Sequence, residues 1–246
     1  MDRDGGAAHH ARQETGPLKR ATEWGASRTL SVVNYIAGNF GLILQLTWQH
    51  VTIVGVAVGC AILVGVPLGI AITQNQRVAD IVLYIAGIIM TIPSIALFGV
   101  MIPILSLINQ GIGYLPAVIA VFLYSQLPIV RNTYTAIRSV DPALREAARG
   151  MGMTSWQRLR RVEIPIALPI IMAGIRIAVV INIGIAAIAA YIGAGGLGML
   201  IRAGISQTDP RQLLAGALAV SILAVIADYG LFGIQRYLTP RGVRAA

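Results

Sequence analysis

Hydrophobic and polar positions follow one another along this chain in long blocks, and the apolar blocks are long enough to cross a membrane. Five blocks of 20 to 25 residues contain almost no charged side chains and are separated by more polar segments. A transmembrane helix needs about 20 predominantly apolar residues to cross a hydrocarbon core about 30 Å thick. The pattern therefore predicts five membrane-spanning helices, at about residues 51–72, 81–105, 115–137, 169–192 and 213–232, of which the second is interrupted by Pro93 and Pro103.

The segment before the first predicted span has two parts. Residues 1–28 mix glycine, alanine, histidine and charges of both signs without a period, which predicts a flexible N-terminal tail. Residues 29–48 place apolar side chains close to helical spacing with polar side chains between them, which predicts an amphipathic helix at the membrane surface. Residues 49–238 then form the transmembrane domain and 239–246 a C-terminal tail. The alternative is that residues 30–46 form a sixth span.

Composition and charge support a membrane protein. Hydrophobic residues make up 56% and charged residues 12% of the chain, whereas soluble domains carry about 25% charged residues. Seven arginines but only two acidic residues lie between Arg131 and Arg161, and basic loops remain cytoplasmic. With five spans, this loop and the C-terminus are expected in the cytoplasm and the N-terminus outside. Nucleic-acid binding is not expected, since no basic face is interleaved with aromatic residues.

The basic loop at residues 138–168, which we call the elbow, carries signals for two short helices. Asp141 followed by a proline is typical of a helix start. Glycines at 150 and 152 permit a turn. Thr154 and Gln157 have the spacing of a capping box, which predicts a second helix start, and Pro165 and Pro169 are expected to limit that helix. The elbow is therefore predicted to be a rigid helix-turn-helix unit.

The same loop contains an ordered motif. Glu146-Ala147-Ala148 is followed after three residues by Gly152, and after nine more by Val162, Glu163, Ile164 and Pro165. This pattern resembles the signature loop of the permease subunits of bacterial ABC importers, with Val162 and Ile164 in place of the usual isoleucine and leucine. The resemblance extends from about Trp48 to Leu238. It is closest to the osmoprotectant branch, which imports glycine betaine, carnitine or choline, in residues 91–94, 127–134, 141–154 and 192–198.

The resemblance implies a fold and a mechanism. The chain would be an all-α polytopic membrane protein with the five-span core of a type I ABC importer permease (MetI-like). It would form the translocation pathway and work by alternating access, with the elbow as a cytoplasmic coupling helix that docks on an ATPase. Carried over residue by residue, Glu146 and Gly152 would contact the ATPase, with Ala147 and Ala148 packing beside them. The candidate coupling residues are Arg145, Glu146, Ala147, Ala148, Gly152 and Pro165.

The expected partners follow from the same resemblance and from one absence in the sequence. A phosphate-binding Walker A loop needs a lysine, and the only lysine, Lys19, is not in that motif. No cofactor is therefore expected in this chain, and ATP and magnesium should be bound by a dimer of separate ATPase subunits. An extracytoplasmic substrate-binding protein and a second permease subunit, identical or different, complete the expected complex in the bacterial inner membrane.

Other functions are weaker interpretations of the sequence. A permease for another small solute, such as an amino acid or a sulfonate, is the main alternative, followed by a secondary transporter or channel. Enzymatic activity is not expected, because a serine or aspartyl mechanism needs groups that the predicted spans lack. No histidine or lysine lies within a predicted span, and His50 borders the first one.

Polar residues inside the predicted spans are candidates for a functional role. Arg176 and Asp228 are costly in hydrocarbon unless paired, so we expect them to pair and hold the fourth and fifth spans in register; the alternative is that Arg176 extends to the headgroups. Uncharged polar residues are candidates for the translocation path: Thr91, Ser94, Tyr124, Ser125, Gln126 and Asn182. The glycine run is expected to form an outer hinge or tight turn: Gly193, Gly195, Gly196 and Gly198.

Overall fold

The computed structural model describes residues 31–239, and in this range the secondary structure is helical, without strands. The predicted tail at residues 1–28 and residues 240–246 lie outside the described part. The helices are α1 (residues 31–38), α2 (Phe40–Ala71), α3 (Gln76–Thr91), α4 (Ser94–Ser106), α5 (Tyr114–Arg138), α6 (Pro142–Gly150), α7 (Ser155–Arg158), α8 (Ile164–Ile188), α9 (Gly198–Ser206) and α10 (Pro210–Leu238).

The start of the transmembrane domain differs from the prediction of a surface helix followed by a separate first span. Helix α2 runs for 32 residues from Phe40 without interruption, so the surface helix predicted for residues 29–48 does not end before the first span. At 1.5 Å per residue α2 is about 48 Å long, which exceeds the hydrocarbon thickness. Ser31 lines a cavity with residues 207–211, so α1 stays at the end of the bundle where α10 begins. Residues 31–46, the described part of the alternative sixth span, are divided between α1 and the start of α2.

The second predicted span consists of two helices, and it is interrupted at only one of its two prolines. Helices α3 and α4 meet at an angle of 99°, and the bend lies at Pro93. Proline has no N–H to donate and favours an extended conformation of the preceding residue; Ile92 accordingly has φ −68° and ψ 127°. Pro103, by contrast, is accommodated inside α4. Four other helical segments are long and apolar enough to span, and the bent pair counts as a fifth if it is one broken span.

The elbow forms the two predicted helix starts. The Asp141 carboxylate accepts a hydrogen bond from the Ala143 N–H at 2.8 Å. Both bonds of the capping box are present between Thr154 and Gln157, at 2.9 and 3.3 Å. The prediction that prolines limit the second helix is wrong. A π-helical turn, Leu159–Glu163, leads from α7 directly into α8, with Pro165 in the first turn of α8, where its missing N–H is tolerated.

Helices α2, α5 and α8 form the centre of the bundle, where glycines allow close approach. A Cβ on Gly174 of α8 would lie 2.5 Å from the Cβ of Asn132 on α5, and one on Gly69 of α2 would lie 2.7 Å from the Cβ of Thr133. These contacts exclude any larger residue unless a helix moves. Helices α3 and α4 pack against α5 on one side, and α10 packs against α8 and α9 on the other.

The bundle has two distinct ends. The elbow end contains the elbow, the start of α3 and the C-terminus of α10; there, Tyr134 on α5 donates a hydrogen bond to the Gln76 side chain at 2.8 Å. The glycine end contains the turns before α5 and after α8, which are joined by a bond from Gly113 N–H to Ile192 O at 2.8 Å. Because α3 starts at the elbow end and Gly113 lies at the glycine end, the bent pair crosses the bundle as one broken span.

Candidate functional site

A buried carboxylate, Glu163, connects the elbow to both neighbouring long helices, a role that its place in the sequence did not reveal. The Glu163 side chain is 8% exposed and lies 2.9 Å from Arg158 Nε and 3.6 Å from Arg145 Nε. Arg145, on α6, also donates a hydrogen bond to the Ile137 carbonyl at the end of α5. We call Arg145, Arg158 and Glu163 the clamp. It joins α6, α7 and the start of α8 to the end of α5.

The motif residues of the elbow divide into an exposed and a buried group. Glu146 and Ala147 are exposed on α6, whereas Ala148 is 1% exposed and packs inward. Gly152 is also exposed and has φ +75°, with no atom within 4 Å of a Cβ built on it. A glycine is therefore required at position 152 because the backbone is left-handed there, not because a side chain would lack space. Pro165 is half-buried at the base of α8.

Large apolar side chains surround the exposed part of the motif. Leu144 is 45% exposed, Met151 69% and Trp156 66%. Exposed apolar groups of this size beside polar residues are typical of a protein interaction surface. The exposed elbow surface, defined by these three residues with Glu146 and Ala147, therefore has the composition of a docking site.

Arg176 and Asp228 contact each other as the sequence analysis expected. Arg176 Nε and Nη2 each lie 2.9 Å from an oxygen of the Asp228 carboxylate, which is a bidentate pair between α8 and α10. Gln235 extends the network: it accepts from Arg176 Nη1 at 3.2 Å and donates to the Pro169 carbonyl at 3.1 Å. The Arg176 guanidinium also stacks 4.9 Å from the Phe232 ring centre. The alternative of an unpaired Arg176 that only extends to the headgroups does not match this geometry.

The candidate path residues fall into two groups, and the first lies at the break between α3 and α4. Thr91 is exposed and Ser94 half-buried, on either side of the bend. Tyr124 is 4% exposed, and its hydroxyl donates to the Ile92 carbonyl. These three residues thus surround the break between α3 and α4.

The other candidate path residues lie in helix packing on α5 and α8. Ser125 and Asn182 are fully buried, and Asn182 Nδ2 donates to Ser125 Oγ at 2.8 Å. Gln126 is half-buried, and its Nε2 makes a long bond of 3.5 Å to the Phe122 carbonyl. The bond between Ser125 and Asn182 therefore links α5 to α8. The Ser125 hydroxyl and Asn182 Nδ2 also donate to carbonyls of their own helices.

His50, next to the start of the first predicted span, is a buried polar residue. It lies inside α2, which begins ten residues earlier, at Phe40. The ring is fully buried, and Nε2 lies 3.0 Å from the Ile183 carbonyl on α8, to which it must donate. The unbroken helical spacing across residues 40–50 is the signal that could have located it inside the helix.

The glycine run forms a tight turn at the glycine end. Gly193, Gly195 and Gly196 have φ angles of +79°, +82° and +78°, which non-glycine residues rarely adopt. A Cβ on Gly198 would lie 1.9 Å from the Ala187 carbonyl oxygen. The Gly196 N–H donates to the Gln49 side chain at 3.1 Å. The run is therefore pinned to α2 and α8; its use as a hinge stays a prediction.

Close to this turn, the start of α10 is capped by Asp209. Its carboxylate accepts from the Arg211 backbone N–H at 2.9 Å and from the Arg211 guanidinium at 3.1 Å. These bonds hold the pKa of the Asp209 carboxyl below its usual value. Within residues 31–239, no cluster of histidine, cysteine and acidic side chains could hold a metal ion.

Comparisons with known proteins agree with this architecture. Residues 61–243 match the family described as binding-protein-dependent transport system inner membrane component. The osmoprotectant import permease protein OsmW of Salmonella typhimurium is 58% identical over 215 residues, covering 87% of this chain and 100% of that protein. The glycine betaine/carnitine/choline transport system permease protein OpuCB of Bacillus subtilis is 43% identical over 213 residues, covering 87% of this chain and 96% of its own.

The fold is similar to a solved transporter. One chain of the MetNI methionine ABC transporter, in an inward-facing conformation, superposes with a TM-score of 0.74 at 24% identity and covers 82% of this chain and 99% of its own. At this identity the likeness concerns the fold, and it confirms the expected MetI-like architecture. The matched family, the relatives aligned over nearly their whole length and the shared fold agree with one another. The chain therefore belongs to the binding-protein-dependent transport system inner membrane components, as an ABC importer permease.

Proposed function

We propose that the chain is the permease of an osmoprotectant importer and that its elbow docks on a separate ATPase. The observation that carries the coupling role is the clamp. It makes the elbow one body with α8 and the end of α5, while Glu146 and the surrounding apolar side chains remain exposed. A displacement of the exposed elbow surface is thus transmitted to two central helices rather than absorbed by a loose loop.

The charge distribution supports an orientation. The elbow end carries the arginine-rich segment, and basic segments close to membrane-spanning helices stay in the cytoplasm. The elbow and the end of α10 then lie inside and the glycine end outside. The N-terminus is outside in the same arrangement. The glycine end would receive the extracytoplasmic binding protein, and the elbow end would receive the ATPase dimer.

The substrate class is proposed from the relatives. The OsmW protein is named for osmoprotectants and the OpuCB protein for glycine betaine, carnitine and choline. A quaternary ammonium group cannot donate hydrogen bonds and is bound by aromatic faces and uncharged polar groups. Thr91 and Ser94, at the bend, and the half-buried Gln126 are the accessible candidates of that kind for the path, whereas Ser125 and Asn182 are enclosed in helix packing.

The test is purification of the whole complex, followed by uptake in proteoliposomes with the binding protein supplied outside. We expect an ATPase to co-purify and glycine betaine, carnitine or choline to enter only with ATP on the elbow side. Glu146→Ala should lower ATPase retention and uptake at least tenfold. The matched control is Arg149→Ala, an exposed residue on the same helix, which should retain both.

Other outcomes distinguish the alternatives. ATP-driven uptake of an amino acid or sulfonate, with no response to quaternary ammonium compounds, would retain the importer and reject the substrate. ATP-independent flux that survives Glu146→Ala, from a preparation without ATPase, would reject the coupling role of the elbow and favour a channel or secondary transporter.

A further inference from the structure

The break between α3 and α4 leaves a backbone carbonyl without a helical partner. In a continuous helix the Ile92 carbonyl would accept the N–H of Ala96. Here that N–H bonds to the Pro93 carbonyl instead, at 2.9 Å, and the Leu97 N–H bonds to the same oxygen at 3.0 Å. A peptide carbonyl within the membrane needs a partner from the protein, because hydrocarbon offers none.

Tyr124 supplies that partner from α5. Its hydroxyl donates to the Ile92 carbonyl, and the residue is 4% exposed. The ring belongs to the same apolar cluster as Leu97 and Phe98 of α4, and Met90 of α3 packs against this cluster. Tyr124 therefore contacts the break itself, and both arms of the bent pair contribute side chains to the cluster or its border.

We propose that Tyr124 is a positioning residue that holds the bend between α3 and α4, and that its hydroxyl rather than its ring face is what transport requires. This proposal rests on the permease function above. The ring is enclosed and offers no face to a cation, which removes Tyr124 from the candidate substrate contacts. The bend carries Thr91 and Ser94, so fixing its angle fixes the position of both polar groups relative to the bundle.

The hydroxyl role and a substrate contact predict opposite responses to two substitutions. Tyr124→Phe removes only the hydroxyl and leaves the Ile92 carbonyl unpaired, which is the costly way to lose a buried hydrogen bond. We expect about a tenfold lower maximal uptake rate per complex, an unchanged KM for the loaded binding protein, and more ATP hydrolysed per substrate. Tyr124→Leu should behave like Tyr124→Phe. The control is Tyr134→Phe on the same helix, whose hydroxyl bonds to Gln76 near the elbow; it should transport normally.

The geometry of the bend is measured independently of transport. In a Cys60→Ala background, spin labels at Ile81→Cys on α3 and Ile104→Cys on α4, both exposed positions, report the distance between the arms. We expect a broader or shifted distance distribution in Tyr124→Phe and none in Tyr134→Phe. This measurement remains informative if the wild-type complex transports no quaternary ammonium compound, a result that would count against the proposed function alone.

Two results would overturn the proposal. The first is wild-type uptake in Tyr124→Phe with a raised KM in Tyr124→Leu, because this pattern assigns the role to the aromatic ring. The second is an unchanged distance distribution in Tyr124→Phe, because the bend would then be held without the hydroxyl. If Tyr124→Phe does not assemble with its partners, the distances measured on the isolated permease decide between these cases.

Discussion

At the scale of single residues, a few buried polar groups find their partners on other helices. Glu163 is the clearest case, because its buried carboxylate is the acidic member of the clamp and two arginines from different helices converge on it. The sequence contains this acid next to Val162 and Ile164 of the motif, yet its spacing says nothing about which of the seven neighbouring arginines it contacts. The separation of 18 residues from Arg145 is bridged only by the fold of the elbow.

Replacing Glu163 by glutamine tests the clamp. The substitution removes the negative charge but keeps the shape, so Arg145 and Arg158 lose their counter-ion in a mostly buried site. We expect a loss of about 1–3 kcal/mol of stability, which is below the full cost for a deeply buried pair because both arginines are partly exposed. The first measurement is thermal unfolding of the purified permease without its partners, which separates the stability of the clamp from ATPase binding. The second is the number of ATP molecules that the complex hydrolyses per substrate transported, and this number should rise.

Glu146→Gln is the control for that variant, since Glu146 is an exposed acid on the same elbow. It should leave the unfolding temperature unchanged while weakening ATPase retention. Wild-type stability and coupling in Glu163→Gln would show that the clamp contributes nothing to the rigidity of the elbow.

At the scale of helices, local signals and packing contribute differently. The starts of α6 and α7 follow from capping side chains within one turn, so they could be predicted, and the structure contains the predicted bonds. The end of α7 could not, because the π-helical turn places Pro165 in a first turn where it does not break the helix. The 99° bend at Pro93 could not be predicted from the presence of a proline alone, because Pro103 in the next helix causes no comparable break.

Two glycines of α8 provide a matched test of close helix packing. A Cβ at Gly174 would lie 2.5 Å from Asn132 Cβ and 2.7 Å from the Pro128 carbonyl oxygen, whereas a Cβ at Gly184 would meet no atom within 4 Å. Gly174→Ala should therefore force α5 and α8 apart, at a cost of about 1–3 kcal/mol. Gly184→Ala should be neutral or slightly stabilising, because alanine favours a helix over glycine.

The measurement for this pair is the yield and thermal stability of the solubilised permease in a mild detergent. Equal stability of the two variants would contradict the close approach of α5 and α8 at Asn132.

At the scale of the whole molecule, the two ends of the bundle differ in charge and in construction. Of the arginines in residues 31–239, most lie at the elbow end, which also has an exposed apolar surface, while the glycine end is closed by turns that are hydrogen-bonded to one another. This asymmetry suits a permease driven from one side and supplied with substrate from the other. The number of crossings sets the direction of α5. Because the broken span crosses the bundle once, α5 runs from the glycine end to the elbow end, and its arginine-containing end lies at the elbow.

The orientation is tested with two serine-to-cysteine variants in a Cys60→Ser background. Ser206 lies at the end of α9 at the glycine end and Ser155 starts α7 in the elbow, and both are exposed. A membrane-impermeant maleimide should label Ser206→Cys in intact cells and Ser155→Cys only after permeabilisation. The reverse pattern would invert the proposed topology and place the ATPase partner at the glycine end.

The sequence by itself determined the features that depend on neighbouring residues or on total hydrophobicity. These are the membrane class, the positions of most spans, the caps and glycine turn of the elbow, and the motif that marks the permease family. It also indicated that Arg176 and Asp228 would pair, because two charges in hydrocarbon have few other stable arrangements. Such signals act within a turn of helix or through solvation of a whole segment, so they need no knowledge of the tertiary fold.

Only the tertiary structure decided which distant polar groups meet. His50 reaches the Ile183 carbonyl across 133 residues, Tyr124 reaches Ile92 across 32, and Glu163 gathers arginines from two helices. Each contact depends on the rotation and offset of one helix against another, and these are set by many packing contacts together, including the close approaches at Gly69 and Gly174. A linear pattern records neither quantity, which is why the clamp and the support of the bend emerged only from the folded bundle.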